Sequence, residues 1–356
     1  MQAGVAVLEA NLHRERLEPV QAGAEAVSEK RSLPGVVQRY GSLLAIAAVV
    51  VFFSIVNENF LSYDNLADIL RSISIVTLVA IGVTFSLIVG GFDLSVGSAV
   101  SVSTVLSASL MVWYRQELLV AVLVPLLFGL VIGLVNSFLV VKVRIPDILA
   151  TLVTLYIFQG IHLSYTHGYS IYNNMPLTDG SIAPGIMIPS FLYIGQGKLW
   201  GIPVPVVIMG LVVIAVHIFL SYTKHGRFLY VTGGNSEAAR LSGIPVNRYR
   251  TLAYLLSAFF ASLGGIVLAA RIGTGQVMAG SPLLMDAVAA SFIGFSILGQ
   301  GKPNALGTFC GAILMGVLMN GLTMMNVPYY AQDIVKGVVL AAALAVTYLP
   351  KLRKTA

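Results

Sequence analysis

The sequence predicts an all-α fold, a polytopic transmembrane helical bundle of about ten spans with an internal repeat, and three observations lead there. Of the 356 residues, 57% are hydrophobic and only 10% charged, with a mean hydropathy of +0.88; soluble chains are roughly half apolar and a quarter charged. Uncharged runs recur at 72–92, 94–114, 118–141, 199–223 and 251–270. Each is long enough for a hydrocarbon core that takes ~20 helical residues to cross. The short alternating segments that build a membrane barrel do not occur.

Taken in order, the first 38 residues alternate Arg and Glu without a long apolar core or a small-residue cleavage site. They read as a cytoplasmic N-terminal tail (1–38), expected to be disordered, rather than a signal peptide. Pro34 and Gly35 mark the joint with the membrane domain (39–350). Helices are expected near 41–56, 67–89, 94–112, 118–141, 147–165, 203–222, 250–270, 283–299, 305–325 and 331–349. Asp286 and Lys336 fall in or beside the eighth and tenth, and 165–202 has room for a short re-entrant piece.

Orientation follows from the basic residues, because cytoplasmic connections carry the excess of Lys and Arg. With ten spans and an inner N-terminus, Arg115, Lys198 and Arg271 lie outside, Arg71 and Lys336 lie within spans, and the other sixteen of the 21 lie inside. Both termini are therefore expected to be cytoplasmic. The net charge of +6 is accounted for by this topology and by anionic headgroups, which removes the reason to expect nucleic-acid binding.

Between the second and third spans runs Val89-Gly90-Gly91-Phe92-Asp93-Leu94-Ser95-Val96-Gly97-Ser98. Paired glycines break a helix there, and non-helical backbone at membrane depth is tolerated only when buried in protein or lining a water-filled cavity. Asp93 either N-caps a helix starting at Leu94 or presents a carboxylate to such a cavity, and one position serves both. An echo supports a repeat: at an offset of 210 residues Phe85-Ser86-Leu87-Ile88 faces Phe295-Ser296-Ile297-Leu298, Gly91 faces Gly301, and Val96-Gly97-Ser98 faces Leu306-Gly307-Thr308. The count of ten spans makes the two copies parallel, and a re-entrant segment between them would make them inverted.

The longest hydrophilic connection is 224–250. Ser236 is placed as an N-cap with Glu237 in the first turn, so a short helix is expected over Glu237 to Ser242. Gly243 suits its C-terminal cap and Pro245 stops it. A helix this short needs a packing partner.

The pattern Glu237-Ala238-Ala239-x-x-x-Gly243 resembles the loop by which permease subunits of bacterial ABC importers engage their ATPase. The wider segment from Gly234-Asn235 to Ser242-Gly243-Ile244-x-Val246 is similar to its form in the ribose, xylose, arabinose and galactoside permease family, within the branched-chain amino acid and sugar permease superfamily. Gly90-Gly91-Phe92-Asp93-Leu94-Ser95-Val96-Gly97 nearly matches that family's Gly-Gly-Ile-Asp-Leu-Ser-Val-Gly. The resemblance covers about residues 40–350. The chain departs from it at Gly294 to Pro303, where the family shows Gly-Gly-Thr-Ser-Leu before a glycine-rich turn, and it lacks the Ile-x-Leu-Pro of the longer loop consensus.

What the resemblance implies is an inner-membrane permease subunit for a neutral monosaccharide or sugar alcohol. Its partners would be an ABC ATPase holding ATP and Mg, a periplasmic sugar-binding protein, and a second permease subunit, identical or a paralogue. Glu237 and Arg240 would make polar contacts with the ATPase, Ala238 and Ala239 would fit its groove, and Gly243 would permit the turn. Candidates for the translocation pathway are Gly90, Gly91, Asp93 and Ser95 with the intramembrane polar residues Asn136, Gln159, Asp286 and Asn320, costly in hydrocarbon. Hydrogen bonding between helices is the competing use of each of those polar residues. Gly129 with Gly133, Gly264 with Gly265 and Gly307 with Gly311 read as close-packing positions.

The chain itself holds no Gly-x-x-x-x-Gly-Lys-Ser/Thr loop, so no ATPase site, and no cofactor is expected in it. Its five His residues are scattered, the single Cys310 rules out an internal disulfide, and no metal-ligand spacing or nucleophile elbow occurs. An enzyme is therefore not expected. The alternative reading is an ion-gradient-driven secondary transporter. The segment from Thr166 to Trp200, rich in Tyr, Asn, Gly and Pro with Tyr169, Tyr172, Asn173, Asn174 and Asp179, suits either docking of a binding protein or an interfacial aromatic belt.

Overall fold

The computed structural model of the chain describes residues 33–297 and 302–355. The bulk of the expected tail, and Leu298 to Gly301 of the echo, lie outside them. Among the described residues are thirteen α-helices and one two-residue hairpin. In chain order these are α1 (Leu33–Val56), α2 (Tyr63–Ile88), α3 (Val96–Val112), α4 (Leu118–Ser137, running on as a π-turn through Lys142), α5 (Asp147–Thr166) and α6 (Pro189–Gln196). The hairpin β1 (Lys198–Leu199) and β2 (Ile202–Pro203) precedes α7 (Val204–Tyr222), α8 (Lys224–Gly234) and α9 (Ser236–Leu241). The last four are α10 (Val246–Ile272), α11 (Gly280–Ile297), α12 (Ala305–Met324) and α13 (Tyr329–Thr355).

All ten expected spans have a helix. Among the described residues, six are long and apolar enough to cross a membrane: α2, α4 with its π-turn, α5, α7, α10 and α12. α3 and α11 are shorter apolar helices. Helix is already present ahead of the expected start at 41, from the first described residue, Leu33. The 165–202 segment holds one short helix, α6.

The buried centre is α10, packed against α2, α3 and α4. In a bilayer, helices associate through close packing rather than the hydrophobic effect, so small residues decide the contacts. A Cβ at Gly82 of α2 would fall 2.6 Å from the Ser257 carbonyl, and one at Gly133 of α4 would fall 2.7 Å from that of Tyr254. Only glycine lets these backbones meet. Phe85 and Phe260 stack with centroids 5.7 Å apart in the same seam.

The repeat is inverted, and its partner differs from the echo expected at 210 residues. Gly82 lies beside Ser257, whereas Val79 and Ile75 lie beside Gly264, so α2 and α10 are antiparallel. One chain separation relates Gly90 to Gly273, at φ +77° and +69°, and Gly97 to Gly280, which touch. Each unit is a long helix, a left-handed glycine at its end, and a shorter helix starting inside the bundle. The echo pairs α3 with α12 instead, on apolar matches that recur by chance in such a chain.

Candidate functional site

The helix break is built from the glycines outward. Gly90, in the left-handed region, donates its N–H to the Leu87 carbonyl at 3.1 Å, and Gly91 donates to Ser86 at 2.9 Å. These two bonds close α2 with a Schellman cap. A Cβ on Gly91 would sit 2.5 Å from the Tyr254 hydroxyl and 3.0 Å from Asp147 Oδ2. Residues 91–94 then follow without regular secondary structure, and Thr151 of α5 ties them: its hydroxyl accepts from Leu94 N and donates to the Phe92 carbonyl, both at 3.1 Å. Backbone groups freed by the break are thus re-satisfied by a neighbouring helix, as the membrane interior demands.

Asp93 does not cap a helix at Leu94, because α3 starts at Val96. Its Oδ1 instead accepts from Ser95 N at 2.9 Å, Ser95 Oγ at 2.6 Å and Asn136 Nδ2 at 3.3 Å. Asn136 Nδ2 also donates to Ser95 Oγ at 2.6 Å. All three residues are fully buried, so the carboxylate knots the break to α4 rather than facing a cavity. Beside it, Asp93 Oδ2, Asn136 Oδ1, Tyr254 OH and Ser257 Oγ have no hydrogen-bond partner. Tyr254 and Ser257 were not singled out from the sequence, where both read as ordinary α10 residues.

Next to this knot the N-termini of α3 and α11 converge on a cavity of about 320 Å³ lined by Gly97, Ser98, Ser101, Gln159, His162 and Ser281, with Leu and Met residues and Tyr156. Gly280 N donates to Ser101 Oγ at 2.9 Å. His162 is buried, with ring nitrogens 2.9 Å from the Phe158 carbonyl and 2.7 Å from that of Val277, fixing the turn ahead of α11. Gln159 reaches this cavity. Asp286 and Asn320 do not line it: Asp286 pairs with Lys336 Nζ at 3.0 Å, and Asn320 Nδ2 donates to Asn65 Oδ1 at 2.9 Å. Those two polar groups tie helices together.

The hydrophilic connection holds two helices, and only the second was expected. α8 is held by Thr223, whose hydroxyl accepts from Gly226 N at 3.1 Å, by the buried Leu229, and by Tyr230 OH donating to the Pro303 carbonyl at 2.7 Å. Gly233 lies flush against Ile88 and Val89 at the end of α2. The N-cap of α9 is Asn235 rather than Ser236: Asn235 Oδ1 accepts from Glu237 N at 3.1 Å and Ala238 N at 2.9 Å. Gly243, at φ +77°, closes the helix as expected, with Gly243 N bonded to the Arg240 carbonyl and Ile244 N to that of Ala239, both at 3.0 Å.

The outer face of α9 carries Glu237, Ala238 and Arg240 together with Leu241, which is 81% exposed. Arg240 donates to Glu237 Oε1 at 2.6 Å, and that carboxylate pushes the guanidinium above its ordinary pKa. Ala239 is fully buried and faces the body of the protein, so it does not share the outer face with Ala238 as expected. Leu241 was missed; its signal was the one large apolar residue in a hexamer of small and polar residues.

Tyr169, Tyr172 and Trp200 are exposed in the 167–203 segment, Trp200 at 94% on the hairpin tip. Asn173 Oδ1 accepts from Met187 N at 2.8 Å. The Ser181 hydroxyl and N–H hold the Asp179 carboxyl below its ordinary pKa.

Residues 65–344 match the family model described as branched-chain amino acid transport system / permease component. The chain is similar to the ribose import permease protein RbsC of Escherichia coli K12, with 37% identity over 86% of this chain and 92% of that protein. It is 35% identical to RbsC of Bacillus subtilis 168 over 87% of this chain and 92% of that protein. The xylose transport system permease protein XylH of Escherichia coli K12 is 29% identical over 86% and 91%. No solved structure matches the chain.

Proposed function

The chain belongs to the branched-chain amino acid transport system / permease component family, and from that premise we propose that it is the membrane-spanning subunit of an ATP-binding-cassette importer. The cargo is a neutral sugar or sugar alcohol, ribose and xylose being the sugars named for the relatives. The observation that carries this reading is the match to sugar permeases along nearly the whole chain. A short capped helix with an unpartnered outer face, the form an ATPase dock requires, supports it.

The chemistry of this subunit is gating. A soluble binding protein delivers sugar at the face carrying Tyr169, Tyr172 and Trp200, and a partner ATPase, which holds ATP and Mg, receives Glu237, Ala238, Arg240 and Leu241. Movement of α9 passes through Asn235 to α8. From there the flush contact of Gly233 with Ile88 carries it to the break, whose far end positions Gly97 and Ser98 in the cavity wall. The pathway then uses Gly90, Gly91, Asp93, Ser95 and Asn136 as the stiff knot that moves the wall and Gln159 as a lining group. The subunit sits in the bacterial inner membrane with both termini and α9 cytoplasmic, paired with a second permease subunit.

Affinity capture of the tagged permease from detergent-solubilised membranes tests the reading: an ATPase subunit carrying a phosphate-binding loop should copurify. Capture of a lone permease that still accumulates sugar down an ion gradient would support a secondary transporter and overturn it.

A further inference from the structure

We propose that one ordered water molecule joins the Asp93–Asn136 knot to α10, bound by Tyr254 and Ser257 on the α10 side and exchanging slowly with solvent past Asp147. The site follows from the side-chain geometry; only its use in gating rests on the functional reading above.

The four side chains come from three elements and meet at one place. Asp93 lies on the break and is bonded to Asn136 of α4. Gly133, one turn before Asn136, packs so closely on α10 that a Cβ there would fall 2.7 Å from the Tyr254 carbonyl and 3.2 Å from the Ala258 side chain. The turn carrying Tyr254 and Ser257 therefore faces the same stretch of α4. The Tyr254 ring packs with Val140 and Ala150, and its hydroxyl reaches Gly91, two residues from Asp93. Ser257 lies within polar reach of the Asp93 carboxylate. None of the four residues is more than 1% exposed.

What they leave unpaired is complementary to water. Asp93 Oδ1 takes the Ser95 and Asn136 donors, and Asn136 Nδ2 serves both Asp93 and Ser95. Left without a partner among the described residues are Asp93 Oδ2 and Asn136 Oδ1, with the hydroxyls of Tyr254 and Ser257. The first two only accept, and each hydroxyl has a proton to give. One water offers two protons to the first pair and two lone pairs to the second, and a buried water makes roughly two to four such bonds. An apolar filling would orphan all four, whereas buried polar groups are almost always paired.

Access runs along the start of α5. Asp147 is the first residue of that helix and is half-buried. Its Oδ2 and the Tyr254 hydroxyl crowd the same space beside Gly91, so a polar group stands between the site and the surface. The arrangement also suits movement. Direct bonds make Asp93, Ser95 and Asn136 shift as one, while water-mediated bonds, nearly as strong as direct ones, let that unit slide against α10 without orphaning a polar group.

The test is X-ray hydroxyl-radical footprinting of the detergent-purified full-length permease. Radicals formed from a bound water modify the side chain touching it, so the buried Tyr254 should be hydroxylated and should take up heavy oxygen after transfer into heavy-oxygen water. Phe85 and Phe260, stacked in the α2–α10 seam, should stay unmodified. Ser257→Ala leaves the water three partners and should keep Tyr254 labelling within about twofold of the parent, whereas Ser257→Val puts a methyl group into the water's space and should lower it about fivefold or more. Tyr254 as unreactive as Phe85 in the parent would overturn the proposal, and that measurement needs no variant. Equal labelling of the two Ser257 variants would trace the reaction to opening of the bundle and overturn it too. So would protection of Tyr254 by sodium or potassium but not by choline, which would put a cation in place of water. None of these readouts involves sugar or ATP, so failure of the importer to use ATP would remove the role in gating and leave the site standing.

Discussion

Replacing Asp93 separates the knot from the charge. The Asp93 Oδ1 atom takes Ser95 N at 2.9 Å, Ser95 Oγ at 2.6 Å and Asn136 Nδ2 at 3.3 Å, in a site without solvent access. In Asp93→Leu the Ser95 N–H loses its partner while buried, a cost of about 1–3 kcal/mol. The hydroxyl loses a short bond, and Asn136 keeps only its 2.6 Å contact with Ser95 Oγ. Those losses add ~1 kcal/mol each, so Asp93→Leu should destabilise by about 3–5 kcal/mol. Asp93→Asn keeps an oxygen at the same place and should cost about 1 kcal/mol, the difference between a charged and a neutral acceptor. The assay is the temperature at which detergent-purified permease loses its monodisperse peak, read beside uptake in proteoliposomes. The Leu variant should fall by on the order of 5 °C or more and the Asn variant by a small fraction of that. Equal damage by Asn and Leu would mean that the carboxylate charge itself acts in transport, and the knot argument would fail.

Leu241→Asp should abolish ATPase capture at unchanged thermal stability, since Leu241 is 81% exposed, whereas Ala239→Asp should lower both because Ala239 is fully buried; equal stability of the two would contradict the orientation of α9. Gly233→Ala places a methyl group against the Ile88 carbonyl, an overpacking cost of roughly 1–3 kcal/mol, and should cut uptake more than ATPase capture. Parallel loss of both would show that α8 only supports the dock. Single cysteines replacing Ala3, Ser236 and Thr355 in the Cys310→Ser background should resist an impermeant thiol reagent in intact cells. Strong labelling of Ser236→Cys would place α9 on the wrong side for an ATPase.

How far the sequence could be read depends on which contacts hold an element. Spans such as α4 and α7 are apolar over nearly all their length, so the bilayer dictates them, and their helices lie where expected. The ends of α2 and α9 were legible because a left-handed glycine closes each locally, at Gly90 and Gly243. α8 was not legible. Its eleven residues include three glycines, and its helicity comes from Leu229, Tyr230 and Gly233 fitting against distant helices. The N-cap of α9 shifted by one residue because Asn235 and Ser236 are both competent caps, and backbone direction chose between them. Asp93 and Asn136 were singled out as separate polar residues, but only the fold brings them together across 43 positions. Asp286 found Lys336 and Asn320 found Asn65 for the same reason, since an isolated polar residue in a span does not reveal whether its partner is a helix or a cargo.

The most direct measurement is sugar uptake into proteoliposomes assembled from purified components. The permease is reconstituted alone or with its ATPase, with or without binding protein and Mg-ATP, and with sodium and proton gradients imposed or collapsed. Uptake should require permease, ATPase, binding protein and hydrolysable ATP together, and should be indifferent to either gradient. Uptake by the permease alone that follows an imposed gradient, or unchanged uptake with a non-hydrolysable ATP analogue, would contradict the assignment of this chain as the gated half of an ATP-driven importer.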